Sequence, residues 1–281
     1  MNKKRNQLAF GLLSVVHCSL LIFTFLKKRN RKELVMLLFS NISFAYWFEY
    51  VVLNVFNAYT YRPNFLKSKR LDNIFGAILS QAIFIPFTSL FLSAFQKKWA
   101  MKFLVTLYFV GVEMLFLRLK IYKTNWWNPL FTSLAIPVHF YLSDVWYKHI
   151  KKGTSFVLSV SLFNMMLVTC VNLLFLLVVF RKFKFGVGKV HSWYEHFLIA
   201  PLYSIVFSVF TVKTLKLGDT FSKVKVLVFL QGLDFLLRRF HVVKVNFKYR
   251  VSPIFFHIFA ICLATVYKRI VTDVEAASKD K

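Results

Sequence analysis

GVEMLFLRLKIYKTNWWNP, Gly111 to Pro129, sets a carboxylate inside an apolar run and follows it with basic residues, a tyrosine and paired tryptophans. That order reads as one membrane helix with a polar group at its centre and an aromatic anchor at its end. The rest of the chain has the composition such a reading requires. Hydrophobic residues make up 58% of the 281 and aromatic residues 19%, with a mean hydropathy of +0.57. So little polar surface cannot cover a globule, and the lipid bilayer must solvate much of the chain.

A spanning helix needs about 20 largely apolar residues. Nine runs qualify: 8–26, 34–59, 74–95, 101–122, 128–147, 154–180, 194–213, 224–243 and 252–270. They are continuously apolar, which excludes the alternating ten-residue segments of an outer-membrane barrel. The expected fold is all-α, a polytopic α-helical membrane bundle of about nine transmembrane helices. The run at 224–243 has the shortest clean apolar core and holds Gln231 and Asp234, so a re-entrant course stays open there.

The formal charge is +27, from 38 Lys and Arg against 11 Asp and Glu. These cations fall in short clusters between the apolar runs. Such clusters flank helices and meet anionic lipid headgroups, and no separate basic domain points to nucleic acid. Basic residues divide equally between the two sides, so the positive-inside rule alone does not orient the bundle. The cluster KKRNRK, Lys27 to Lys32, and the aromatic-bearing loops on the opposite side favour an external N-terminus and a cytoplasmic C-terminus. The N-terminal MNKKR and its apolar run lack a small-residue cleavage site and read as an uncleaved first span. Cys18, Cys170 and Cys262 lie in three different apolar runs, so neither a disulfide framework nor a CxxC site is indicated. No cofactor or metal is expected.

The opening stretch recurs. An offset of 121 lays Gly111 on Gly232, Glu113 on Asp234, Arg118 on Arg239, Lys123 on Lys244 and Asn125 on Asn246. One residue of slippage later, Tyr147-Lys148 meets Tyr267-Lys268. The expected organisation is an N-terminal helix and basic loop (1–33), four-helix repeats at 34–150 and 151–270, and a polar tail at 271–281. An even number of spans in each repeat makes the two copies parallel.

The acids are the candidate site. Glu113 and Asp234 are central in their apolar runs, and Glu49 lies a few residues off the centre of its own. A charged group at mid-bilayer is costly and normally faces the protein interior. The functional reading is a proton- or cation-linked midplane site lined by Glu113, Asp234 and Glu49. The structural alternative is a set of buried hydrogen bonds or ion pairs, with Arg238 at i+4 from Asp234 as a partner. On the helix of Glu113, Gly111 is expected to point inward with it, while Phe109, Phe116 and Leu117 face lipid. Pro86, Pro137 and Pro201 fall inside spans, where each frees a carbonyl.

Three further patterns carry weaker chemistry. His139 and Asp144 have the H-x4-D spacing of glycerolipid acyltransferases, without an accompanying acyl-acceptor motif, and enzymatic activity is not expected. His191 and Glu195, in HSWYEH, offer a metal two ligands and no third; an interfacial loop beside Trp193 explains them better. Tyr122, Trp126, Trp127, Trp193 and Tyr194 flank span ends and read as an interfacial aromatic belt.

Together YWFEYVVLN, the span from Ser80-Gln81 to Pro86, EMLFLRLKIYKTNWWNP and YEHFLIAPLYSIVFSVF resemble multi-pass membrane proteins of endospore-forming Firmicutes that have no assigned activity. The second unit departs from the pattern, with Phe247-Lys248 in place of the tryptophan pair. The resemblance implies a bacterial inner membrane and a spore-related context. Two function classes remain: a transporter- or channel-like protein with an acidic interior site, or a structural or assembly membrane protein. A lipid-modifying enzyme is third.

Overall fold

The computed structural model describes residues 3–180, 183–188, 190–245 and 253–279. Its elements are α1 (Lys3–Lys27), α2 (Arg31–Val55), β1 (Tyr59–Tyr61), α3 (Lys69–Ala94), α4 (Trp99–Arg118), β2 (Tyr122–Thr124) and α5 (Pro129–Lys151) in an N-terminal unit. A C-terminal unit holds α6 (Ser155–Val179), β3 (Phe183–Phe185), α7 (Trp193–Lys216), α8 (Ser222–Arg239), β4 (Val243–Val245) and α9 (Pro253–Lys279). The two compact units meet in sequence at Thr154 and Ser155.

The chain is thus a helical membrane bundle. Seven of the helices are long and apolar enough to cross a bilayer, α5 and α8 being the exceptions. At about 1.5 Å per residue, the 18 residues of α8 cover about 27 Å. It also carries Lys223, Lys225, Asp234, Arg238 and Arg239. α5 is longer, but its second half holds Asp144, Lys148, His149 and Lys151.

Within the N-terminal unit α3 is central, packing on α1, α2 and α5, while α4 packs on α5. The buried face of α1 is a narrow stripe of Asn6, Phe10, His17 and Thr24, spaced by four and seven residues as one helical face requires. Leu8, Leu12, Val15, Val16 and Leu26 on its other faces are more than half exposed, which suits hydrocarbon rather than water. Leu92, Ile136 and Phe140 form an apolar cluster between α3 and α5, joined by Val105 and Phe109 of α4. One end of this unit is tied by polar side chains. Ser143 takes a hydrogen bond from Asn41 and shares one with Ser93, and Ser93 donates to Asp144, which is also ion-paired with Lys102. Such inter-helix hydrogen bonds serve where the hydrophobic effect no longer drives helices together.

The other end is built on a feature that run lengths conceal. β1 and β2 pair antiparallel, Tyr61 opposite Tyr122 and Tyr59 opposite Thr124. The asparagine and tryptophan after β2 lock onto the end of α2: Asn125 Nδ2 donates to the Asn57 carbonyl at 2.6 Å and Trp126 Nε1 to the Phe56 carbonyl at 2.8 Å. Asp72 holds the loop after β1, accepting from the backbone N–H groups of Asn64, Phe65 and Leu66 at 2.8–2.9 Å. Two helices widen into π-helical turns nearby, Tyr50–Val55 at the end of α2 and Leu79–Phe84 within α3. Pro86 follows the second, so the donor it lacks falls beside a turn that has already left the regular i→i−4 pattern. Pro137 and Pro201 are inside α5 and α7.

In the C-terminal unit α6, α7, α8 and α9 pack together, with α6 and α7 in the most extensive contact. β3 and β4 pair antiparallel, Phe185 opposite Val243 and Lys184 opposite Lys244. His191 joins this ladder to α7 through hydrogen bonds with the carbonyls of Lys184 and His241. Ser192 and Glu195 then form a reciprocal capping box. HSWYEH is therefore a helix start with a histidine tie.

Several boundaries need correction. α4 ends at Arg118, and Tyr122 belongs to a strand. The acids then lie toward helix ends: Glu113 is five residues from the end of α4, Asp234 five from the end of α8, and Glu49 six from the end of α2. Residues 271–279 continue α9 as helix. Asn246 and Phe247-Lys248 lie outside the described residues.

Candidate functional site

The strand-bearing end of the N-terminal unit forms a partly open cavity of about 630 Å³. Helical periodicity explains which residues of α4 reach it. Phe109, Glu113 and Phe116, at i, i+4 and i+7, all line the cavity, while Gly111 is exposed. Glu113 does face inward, but the expectation for its neighbours was inverted: Phe109 and Phe116 accompany it and Gly111 does not. The Glu113 carboxyl lies beside the Tyr122 and Thr132 hydroxyls. Both its oxygens are buried and neither has a hydrogen-bond partner.

Alternation along the β ladder supplies the floor. Tyr59 and Tyr61, two residues apart, point to one face, and Tyr122 joins them from across the ladder. Their rings are mutually packed at 5.1–5.4 Å between centroids. Tyr59 donates to Glu49 Oε2 at 2.6 Å, and Gln81, from the π-helical turn of α3, donates to the same oxygen at 2.9 Å. Oε1 of Glu49 is buried without a partner. Burial first, then the carboxyl groups of Glu49 and Glu113 and the neighbouring phenols, push the hydroxyls of Tyr59, Tyr61 and Tyr122 well above the ordinary tyrosine value. All three remain neutral donors at any physiological pH.

Aromatic side chains close the walls. Trp127 stands edge-on to Phe48 and Tyr59, and its indole N–H donates to Thr132 Oγ1 at 2.9 Å. On α1, the His17 ring stacks on Phe109 and on Phe84, while its Nδ1 meets the Thr88 hydroxyl at 2.8 Å. His139 also lines the cavity, and its Nε2 is buried without a hydrogen-bond partner. Trp126 and Trp127 are thus part of a cavity wall as well as a rim. Their spacing from Glu113 was visible in sequence. Tyr59 and Tyr61 were not singled out, because a three-residue alternation such as Tyr-Thr-Tyr is too short to stand out against apolar runs, and His17 is a single polar residue within one such run.

The C-terminal unit treats its acid differently. Asp234 Oδ1 accepts from the Tyr203 hydroxyl at 3.0 Å, and His257 Nε2 lies 3.1 Å from that hydroxyl and 3.5 Å from Asp234 Oδ2. The side-chain amide of Gln231 meets His257 Nδ1 at 2.7 Å. An amide nitrogen only donates, so Nδ1 accepts and the ring proton sits on Nε2, facing Tyr203 and Asp234. The hydrogen-bond partners of Asp234 are therefore Tyr203 and His257, while the Arg238 charge acts on it from beyond salt-bridge distance. Where Tyr59 and Tyr61 stand on β1, β3 has Phe183 and Phe185.

The structure brings Glu113 and Glu49 to one tyrosine cluster in the N-terminal unit, and Asp234 to a closed network in the C-terminal unit. His139 and Asp144 do not converge: His139 faces the cavity, while Asp144 pairs with Lys102 and Ser93. Among the described residues no three His, Cys, Asp or Glu side chains are grouped to hold a metal. The three cysteines are free thiols. Comparison with protein-family models, known proteins and solved structures finds no match, so the chemistry of the cavity carries the functional reading.

Proposed function

We propose that this chain is a transporter-type membrane protein whose N-terminal unit takes a small solute into the cavity, with Glu113 as the group that engages it. The observation that carries the reading is a carboxyl group with both oxygens buried, unpaired and directed at about 630 Å³ of space. Small-molecule sites commonly measure about 300–1,000 Å³ and combine an apolar wall with a few convergent polar groups. An unpaired carboxyl inside a membrane protein is costly to maintain for packing alone. Reconstitution in liposomes with an imposed pH gradient tests the reading. Solute-dependent proton flux that Glu113→Gln abolishes, with the thermal transition unchanged, supports it. Flux unaffected by that substitution refutes it.

A structural or assembly role is the second reading, and the closed Asp234–Tyr203–His257 network favours it for the C-terminal unit. In this proposal the two units descend from one four-helix element. The order helix, strand, helix, helix, strand, helix runs from α2 to α5 and again from α6 to α9. The 121-residue offset carries Tyr122–Thr124 onto Val243–Val245, the paired strand of each unit. The N-terminal copy keeps a cavity beside its central acid. The proposal also includes α5 and α8 among nine spans, and a bacterial cell membrane as the location.

A further inference from the structure

The kind of solute follows from what the cavity wall contains and what it omits. We infer that the cavity is a receptor for organic ammonium ions, a positively charged nitrogen carried on an apolar body, with Glu113 as counter-ion and the aromatic walls as the cage. This rests on the transporter-type reading above and narrows it to one chemical class.

Charge is the first argument. The chain has 38 Lys and Arg residues, yet among the described residues none of them lines the cavity. An anionic solute would therefore meet a carboxyl group and no cation. A buried carboxylate is tolerable when a partner of opposite charge completes it, and costly otherwise. Both Glu113 oxygens are buried without a hydrogen bond of good geometry, their polar neighbours being the neutral Tyr122 and Thr132 hydroxyls and no cation, and Glu49 behind the tyrosines keeps a third such oxygen.

The walls give the second argument. Close to half of the lining side chains are Phe, Tyr or Trp. Aromatic faces attract cations through their quadrupoles, most strongly Trp, and the attraction is greatest where water is excluded. Tyr59, Tyr61 and Trp127 are packed edge to face around the Glu49–Glu113 side of the space. The phenols are held neutral, so negative charge in the floor is confined to the carboxyl groups.

Competing occupants fit less well. An inorganic divalent ion demands about six oxygen ligands, and the wall is dominated by rings. A neutral apolar molecule would gain nothing from a buried carboxyl. A proton alone satisfies Glu113 but leaves the volume and the aromatic cage without a role.

The test uses the full-length protein purified in detergent, titrated with benzyltrimethylammonium and with its uncharged isostere neopentylbenzene. Trp126 and Trp127 line the cavity, so tryptophan fluorescence reads occupancy directly. The expected result is saturable quenching by the cation, at least tenfold weaker binding of the isostere, and at least a tenfold loss of cation affinity in Glu113→Gln with isostere binding unchanged. Equal affinity for both probes overturns the ammonium assignment and leaves a solute cavity standing. Binding of neither overturns both readings. If Glu113→Gln does not fold, the comparison of the two probes on the unmodified protein still decides. Cation binding without liposome flux refutes transport while sustaining this inference. Repeating the titration in nanodiscs with and without phosphatidylethanolamine separates two sources of the ammonium group. Competition by that lipid assigns the site to a headgroup, and its absence to free amines.

Discussion

Replacing Gly76 by alanine tests whether the tyrosine floor is pressed against α3 as described. A Cβ built at Gly76 stands 2.5 Å from Tyr61 Cβ, 3.1 Å from Tyr61 Cγ and 3.2 Å from Pro63 Cδ. Carbon atoms in contact prefer about 3.5–4.0 Å, so the strand must retreat by about 1 Å or more. Tyr61 Cβ is fixed to the backbone and cannot rotate away, which makes the clash one of main-chain position. Overpacking of this kind costs about 1–3 kcal/mol, while Gly→Ala in a helix interior returns about 0.5–1 kcal/mol. With a backbone clash at 2.5 Å the overpacking cost falls in the upper part of its range, and the expected net loss is about 1–2.5 kcal/mol. Gly111→Ala is the control, because a Cβ there meets no atom within 4 Å. It should gain about 0.5–1 kcal/mol. Two chemically identical substitutions should therefore move the thermal transition of the detergent-solubilised protein in opposite directions. A Gly76→Ala protein as stable as the Gly111→Ala protein would refute the packing of β1 on α3.

Gly186→Ala in the C-terminal unit should destabilise by about 1–3 kcal/mol, since its Cβ would lie 2.5–2.7 Å from Cγ, Cβ and Cα of His191; chemical denaturation checks it. Tyr203→Phe removes the hydroxyl that links Asp234 to His257 and should cost about 1–3 kcal/mol, measurable as a lower thermal midpoint. Lys102→Met strands a carboxylate that is 38% exposed, so its cost should fall to about 1–3 kcal/mol, below that of a fully buried pair. Adding Asp144→Leu should recover most of the loss. Tyr59, Tyr61 and Tyr122 have values raised above the ordinary 10.0. Their contribution to stability is complete below pH 10 and is lost as the pH rises toward the folded-state values. Absorbance at alkaline pH should show these three phenols ionising only together with unfolding.

The membrane bundle was legible because a bilayer imposes length and composition on every helix that crosses it. The inward position of Glu113 was legible for the same reason. Its companions Phe109 and Phe116 were misassigned because hydrophobicity does not distinguish a wall facing a cavity from one facing lipid. Only the 3.6-residue period tells them apart, and here it puts both beside Glu113. The two ladders escaped notice because three-residue strands follow directly on apolar helices, and this carried α4 four residues too far. Asp234 looked like a second copy of Glu113, yet its fate depends on Tyr203 and His257, 31 and 23 residues away in sequence. Partners at such separations are not legible in periodicity. The contrast between the strands is of the same kind, since Tyr59 and Tyr61 against Phe183 and Phe185 is a difference of single hydroxyl groups.

The π-helical turn after Glu49 has a consequence for how this region tolerates insertions and deletions. Such a turn accommodates one residue more than a regular helix would, and only nine residues separate Glu49 from Tyr59. In a strand, a slip of one residue exchanges the two faces. Loss of a residue within Tyr50–Val55 is absorbed by the turn closing to regular helix, whereas loss of one at 56–58 would turn Thr60 toward the cavity, and Tyr59 and Tyr61 away from it. The reading frame of the floor is set by the count of residues between the turn and the strand, while the buried Val52, Leu53 and Ala58 hold the segment against its neighbours.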